Sequence, residues 1–232
     1  MAISKIRPIH IEQPKPMRKQ VYEHLRDQIV NHAIEPCSRL VEAQIAKEIG
    51  ISRTPVREAL HLLEKDGFIE SVPRVGYYVK KLDLDELDEI FEIRLINERL
   101  VCRWAIDKID DTGLRALEKN IAKTKAALQK GSPQLFLNYD EEFHEILVNA
   151  AGSRYLSEIC QKLRRLMLRY RSESFKTEQS EKLVLHGHTR ILACLTNKDL
   201  TGLESELADH LNMARNDIRE HLLQSSNQPV HR

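Results

Sequence analysis

The chain has 232 residues, 41% of them hydrophobic and only 5% aromatic, which is enough apolar side chain for packed cores and favours helix-on-helix packing over a sheet sandwich. Residues 1–82 carry 14 Lys and Arg against 10 Asp and Glu (net +4), and the remainder carries 22 against 25 (net −3), so a polyanion is expected on the front part. Four scattered cysteines, Cys37, Cys102, Cys160 and Cys194, form no CxxC pair and read as reduced thiols. No run approaches the roughly 20 apolar residues of a membrane span, and no signal peptide opens the chain; a cytoplasmic protein with no membrane partner is expected.

Residues 1–16 hold Pro8, Pro14 and Pro16 without periodicity and read as a flexible arm. Val21, Leu25 and Ile29 then share one helical face, with Pro36 expected to end that helix. A short second helix fits Glu42–Ile49, with Ile45, Ala46 and Ile49 inward and Gly50 as its stop. Ser52 is placed to cap a third helix with Pro55 in its first turn. Its stripe of Val56, Ala59, Leu60 and Leu63 falls at i, i+3, i+4 and i+7. Two β-type runs, 68–72 and 77–79, flank Pro73-Arg74-Val75-Gly76 and read as a hairpin. Three helices and a hairpin over 17–81 outline a winged helix-turn-helix.

Beyond Lys81 the pattern is helical almost throughout. Six helices are expected near 85–109, 112–130, 133–151, 153–175, 180–197 and 199–223, making one all-helical domain over 82–223, with a frayed polar tail at 224–232. The fold class is therefore mainly α, a winged helix-turn-helix followed by an all-α bundle.

Arg53 and Arg57 lie four residues apart and project away from the buried stripe of the third helix, in its first two turns. That end meets base edges when such a helix enters the major groove, where an arginine fork bonds guanine O6 and N7 together. Ser52 and Thr54 are placed for phosphates at the helix N-terminus. Arg39, Arg74 and Gly76 are further contact candidates, with Gly76 expected at the hairpin tip. Taken alone, two such arginines are most often solvated decoration. The runs Arg39-Leu40-Val41-Glu42, Ile45-Ala46, Gly50 through Leu60, Leu63-Glu64, Asp66-Gly67 and Gly76-Tyr77-Tyr78-Val79 resemble the DNA-binding domain of GntR-family regulators. The resemblance implies that Arg39, Arg53, Arg57 and Gly76 contact double-stranded DNA. Cys37 departs from it, standing where the family usually has glycine.

In the helical part, Asp140 and His144 share one helix face, a spacing that suits two ligands of one metal ion. His188 and His210 lie on later helices. One carboxylate with three imidazoles suits zinc, nickel, manganese or iron, though a surface Asp–His pair is the commoner explanation of such spacing. His186 lies about 200° round the helix from His188 and faces elsewhere, and His221 sits about 16 Å along from His210. Asp140 to His144, Ala150-Ala151-Gly152, His188 with Ile191-Leu192-Ala193, His210-Leu211, and Ile93-Arg94 with Glu98 resemble the FCD effector domain of the FadR subgroup, in its six-helix VanR-like variety. That resemblance implies a divalent metal on Asp140, His144, His188 and His210, with a small carboxylate effector on its open sites. Arg94 is placed either to pair with that carboxylate or to bridge Glu98.

The expectation is a homodimeric repressor on a pseudo-palindromic operator, responsive to the carboxylate, and not an enzyme. Two rivals stay open on the sequence: a metal-dependent enzyme with a DNA-binding appendage, and a DNA-binding protein whose helical domain only dimerises.

Overall fold

A computed structural model describes residues 16–173 and 177–226; the expected arm at 1–15 and the tail at 227–232 lie outside the described residues. The chain divides into two compact units, and passes from the first to the second between Lys80 and Lys81.

The first unit holds α1 (Met17–Val30), β1 (Arg39–Leu40), α2 (Glu42–Ile49), α3 (Arg53–Lys65), β2 (Ile69–Val72) and β3 (Gly76–Val79). The strands form an antiparallel sheet in the order β1-β3-β2, with Leu40 opposite Tyr77, Ile69 opposite Val79 and Val72 opposite Gly76. The Val56, Ala59, Leu60 and Leu63 stripe is fully buried, as are Phe68 and Ile69 beside it on the chain, and α3 packs on α2 and β2, so its opposite face is outward. Two local expectations need correction, and one short strand was not foreseen. α1 ends at Val30, six residues before Pro36, where the Ile34 N–H donates to Gln28 O at 3.1 Å and His32 takes a positive φ of 54°. Ile49 is 38% exposed rather than inward. β1 has only two residues, too few to show a strand period; tertiary pairing makes it a strand, and Cys37 extends that pairing by donating its N–H to Val79 O at 2.8 Å. Cys37 does so at φ 64°, a left-handed conformation that suits the glycine it replaces.

The second unit contains α4 (Leu84–Lys108), α5 (Asp111–Gln129), α6 (Pro133–Ala151), α7 (Arg154–Met167), a 3-10 helix (Leu168–Glu173), α8 (Glu178–Thr196) and α9 (Leu200–Ser226). Side chains start several of these helices: Asp83 accepts from the N–H groups of Asp85 and Glu86, and Asp110 accepts from that of Gly113. α4 packs against α6, α7 and α9, α5 against α6 and α8, and α8 against α9. Phe143, Leu147, Ile191, Leu195, Leu203 and Leu207 lie in the shared core.

The single helix expected over 153–175 is corrected: α7 stops at Met167 and the chain tightens into the 3-10 turn. Tertiary bonds account for the break. Arg169, 4% exposed, donates Nη1 to Glu86 at 2.9 Å and Nη2 to Lys81 O at 2.6 Å, and the Tyr170 hydroxyl donates to Asp83 O at 3.0 Å. The tail also begins later than expected, since α9 continues through 224–226. None of the four cysteines is paired in a disulfide; burial pushes the Cys102 thiol up to about 12, aided by the Glu98 charge. No helix among the described residues is long and apolar enough to cross a membrane.

Candidate DNA-reading face and candidate metal centre

On the outer side of α3, the Arg53 and Arg57 side chains are 61% and 54% exposed. They line an open groove of about 480 Å³ together with Glu42, Arg74 and Tyr77. Glu42, on α2, accepts from Arg57 Nε and Nη2 at 3.0 Å each and from Arg53 Nη2 at 3.2 Å. The Arg57 hydrogen bond, against some burial and with help from Arg53, holds the Glu42 carboxyl below its ordinary value. Ser52 stands at the N-cap of α3 but its hydroxyl makes no cap bond there, and Thr54 is exposed.

Arg39 is turned onto the wing, donating Nε to Val75 O at 3.1 Å, with Nη2 donating to the same oxygen. Arg74, exposed and at φ 64°, occupies the turn between β2 and β3. Gly76 is not at that tip. It is the first residue of β3, at φ 132°, and a Cβ there would stand 3.2 Å from Leu40 O and 3.7 Å from Arg39 Nε. Glycine is thus required by close approach to β1 as well as by backbone angle.

In the second unit, Asp140 and His144 on α6, His188 on α8 and His210 on α9 converge, each offering one ligand atom within 4.8 Å of all the others. His144 Nε2 and His210 Nε2 are 3.2 Å apart, and His188 Nε2 is 3.4 Å from Asp140 Oδ1. The His188 ring is wholly buried and stacks on Phe143 at 3.8 Å. Gly187 leaves the space for its neighbour ring: a Cβ there would meet His210 Nδ1 at 3.0 Å. His186 is exposed, as its position on the helix requires, and His221 instead donates Nδ1 to Asp217 O at 2.8 Å.

The donor set passes a chemical test for a metal. Asp140 Oδ1, both nitrogens of His188 and Nδ1 of His210 are buried with no hydrogen-bond partner, a costly state for polar atoms unless something else satisfies them. Burial raises the Asp140 carboxyl, but the His188 ring, its Nε2 3.4 Å away, together with His144 and His210 outweighs it and holds it well below the usual carboxylate range. Burial lowers His188, and burial with the neighbouring histidines drives His210 well below its ordinary value. These directions, toward an ionised Asp140 and toward unprotonated His188 and His210, are the ones that metal ligation needs.

Around this cluster stand charges that the sequence reading used only in part. Glu98 Oε2 lies 2.9 Å from His144 Nδ1, off the line of the ring N–H, and Glu98 Oε1 accepts from Arg94 Nε at 2.9 Å. Of the two roles left open for Arg94, the ion pair with Glu98 is made. Its guanidinium also borders a cavity of about 70 Å³, alongside Asp140, His144, His210 and Arg164. Arg164 Nη1 is buried and makes no hydrogen bond. It escaped the sequence reading, yet a signal existed: it sits four residues after Cys160 and three before Met167, a cation written into the apolar stripe of α7.

A winged helix-turn-helix with arginines on its outer helix face, followed by a helical bundle with a buried carboxylate–histidine cluster, defines a two-domain transcription regulator. Residues 17–79 match the family described as bacterial regulatory proteins, gntR family, and residues 89–213 match the FCD domain. The chain belongs to the GntR family of bacterial regulators, in the branch carrying an FCD domain, and that family consists of transcription regulators rather than enzymes. Its relatives include the uncharacterized HTH-type transcriptional regulator YdhC of Bacillus subtilis, 30% identical over 87% of this chain and 91% of that protein. The HTH-type transcriptional repressor RspR of Escherichia coli is 28% identical over 89% of this chain and 90% of its own. The solved structure of E. coli McbR/YncC superimposes with a TM-score of 0.74 at 25% identity, covering 91% of this chain and all of that one.

Proposed function

We propose that this regulator binds a pseudo-palindromic DNA operator as a homodimer and represses transcription, with its DNA affinity set by a small carboxylate held at a divalent metal in the FCD domain. Asp140, His144, His188 and His210 would hold the ion. When bound, the metal supplies an electrophilic anchor for a carboxylate oxygen. The chain's own residues do the rest. Glu98 orients the His144 ring through Nδ1, leaving Nε2 toward the cluster. Arg94 and Arg164 offer guanidinium donors to the second end of the anion, while Phe91, Leu137 and Ile218 form apolar walls. On the DNA side, Arg53 and Arg57 read base edges, with Ser52, Thr54, Arg39, Arg74 and Gly76 along the backbone path. Homodimerisation is supported by the exposed apolar residues Ile93, Ile96 and Trp104 on one face of α4 and Tyr155 and Ile159 on the adjoining α7. Repression follows the relative named a repressor, RspR.

The observation that carries this reading is the convergence of four ligand atoms within 4.8 Å of one another, with Asp140 Oδ1 and His188 Nε2 buried and without a hydrogen-bond partner. The decisive experiment is elemental analysis of the purified protein beside its His188→Ala and His186→Ala variants. His188→Ala should weaken metal binding by about 10–100-fold or more and remove the metal-dependent part of the thermal stability, whereas His186→Ala keeps both. Equal metal content in all three proteins would refute the site.

A further inference from the structure

Arg53 and Arg57 are marked by their spacing, but nothing in spacing assigns a task to the carboxylate they share. Glu42 opens α2, its side chain only 17% exposed, in the groove between α3 and the wing. It takes Nε and Nη2 of Arg57, the side edge of the guanidinium, at 3.0 Å each, and one Nη2 donor of Arg53 at 3.2 Å. A guanidinium carries five N–H donors in one plane. With its side edge held by Glu42, Arg57 keeps the end-on edge formed by Nη1 and the outer Nη2 hydrogen for a ligand. That edge is the fork that spans guanine O6 and N7.

A carboxylate so placed has two consequences. It locks long side chains that would otherwise lose rotamer freedom on docking. It also offsets one of the two arginine charges on the outer face of α3, and diffuse attraction to phosphate depends on that charge whatever the base sequence. Glu42 stays ionised at neutral pH because the Arg57 hydrogen bond outweighs burial and lowers its carboxyl.

We propose that Glu42 is a specificity-determining residue: it buttresses Arg57 and Arg53 in a base-reading pose and subtracts charge from the reading face, so that random duplex is held weakly relative to the operator. The inference rests on the reading above that these two arginines contact base edges. Its rival is a rivet, in which Glu42 merely ties α2 to α3.

The test uses the full chain and two probes. One is the duplex that the unaltered protein enriches from a randomised pool, and the other is a scrambled duplex of the same composition, each titrated across a salt series. Glu42→Gln keeps the shape and removes the charge. It should bind the scrambled duplex more tightly, steepen the log-affinity against log-salt slope by about one, and lower the ratio of enriched to scrambled affinity by roughly tenfold. Glu42→Asp keeps the charge with a shorter reach, so it should retain the original slope while losing part of the ratio. Equal weakening on both duplexes by Glu42→Gln, an unchanged ratio, or a slope that steepens as much in Glu42→Asp as in Glu42→Gln would each overturn the proposal. Arg57→Ala separates the two layers. If it lowers the ratio while Glu42→Gln does not, only the role of Glu42 fails; if Arg57→Ala leaves the ratio intact, the base-edge reading itself fails and this inference falls with it.

Discussion

On α3 the side chains proposed to read DNA stand in solvent, with Arg53 and Arg57 61% and 54% exposed; in the helical unit His144, His188 and His210, the proposed ligands, are 5%, 0% and 4% exposed. Exposed ion pairs contribute only about 0–1 kcal/mol to folding, so the reading arginines can be exchanged without unfolding the winged unit. Each buried polar atom left without a partner costs about 1–3 kcal/mol, so the histidine cluster weakens the bundle unless a ligand completes it. If the proposed sites are right, function and stability are separable at one end of the chain and bound together at the other.

The sharpest way to break this comparison is to damage the small core that carries the reading face. Leu60 is fully buried, and Leu60→Ala should cost about 2–5 kcal/mol. Hydrogen exchange in a urea series should show the loss confined to residues 17–80. An equal loss of protection in α4–α9 would show that the two units do not unfold independently.

A smaller effect is expected where the helical unit fastens its own entry. Arg169→Met leaves Glu86 without its Nη1 donor and Lys81 O without its Nη2 donor. The cost should be about 3 kcal/mol, the low end for a broken buried pair, because the Glu86 side chain is 29% exposed. Urea midpoints measured on the helical unit decide it, and a loss under about 1 kcal/mol would class the contact with ordinary surface pairs.

The mildest perturbation is pH, applied to the metal-free protein. His188 and His210 are lowered in the fold, so the unfolded chain binds protons that the folded one refuses. Their contribution is complete above the unfolded imidazole value of about 6.5 and is lost as pH falls below it, at most about 1.4 kcal/mol per histidine for each pH unit. In the winged unit the Glu42 carboxyl is lowered by its bond to Arg57, so its contribution is present above about 4.3 and lost below. Thermal unfolding between pH 7 and about pH 5 should therefore weaken the helical unit first. Parallel loss in both units would remove the histidine cluster as the cause.

Much of this was legible in the residues. The stripe from Val56 to Leu63 announced which face of α3 is buried, and hence that Arg53 and Arg57 face out. The Asp140–His144 spacing announced a shared face on α6, and the histidine at 186 was correctly separated from that at 188. Short or irregular elements were not legible. β1 is two residues long, α1 ends without a proline at its terminus, and α7 yields to a 3-10 turn only because Arg169 and Tyr170 bond to residues more than 80 positions away.

Helix faces are set by a period of about 3.6 residues, which any stretch of sequence carries within itself, so the sequence alone determined the two-unit, mainly helical plan and the outward arginines. Only the tertiary structure decided what meets those faces. It brings His188 and His210 to Asp140 and His144, sets Glu42 against Arg57 fifteen residues away, and turns Arg164 into the cavity beside Arg94. These meetings depend on how helices pack through the cores of Phe143, Ile191 and Leu207 on one side and Leu60 and Phe68 on the other, and packing distance is written in no local repeat.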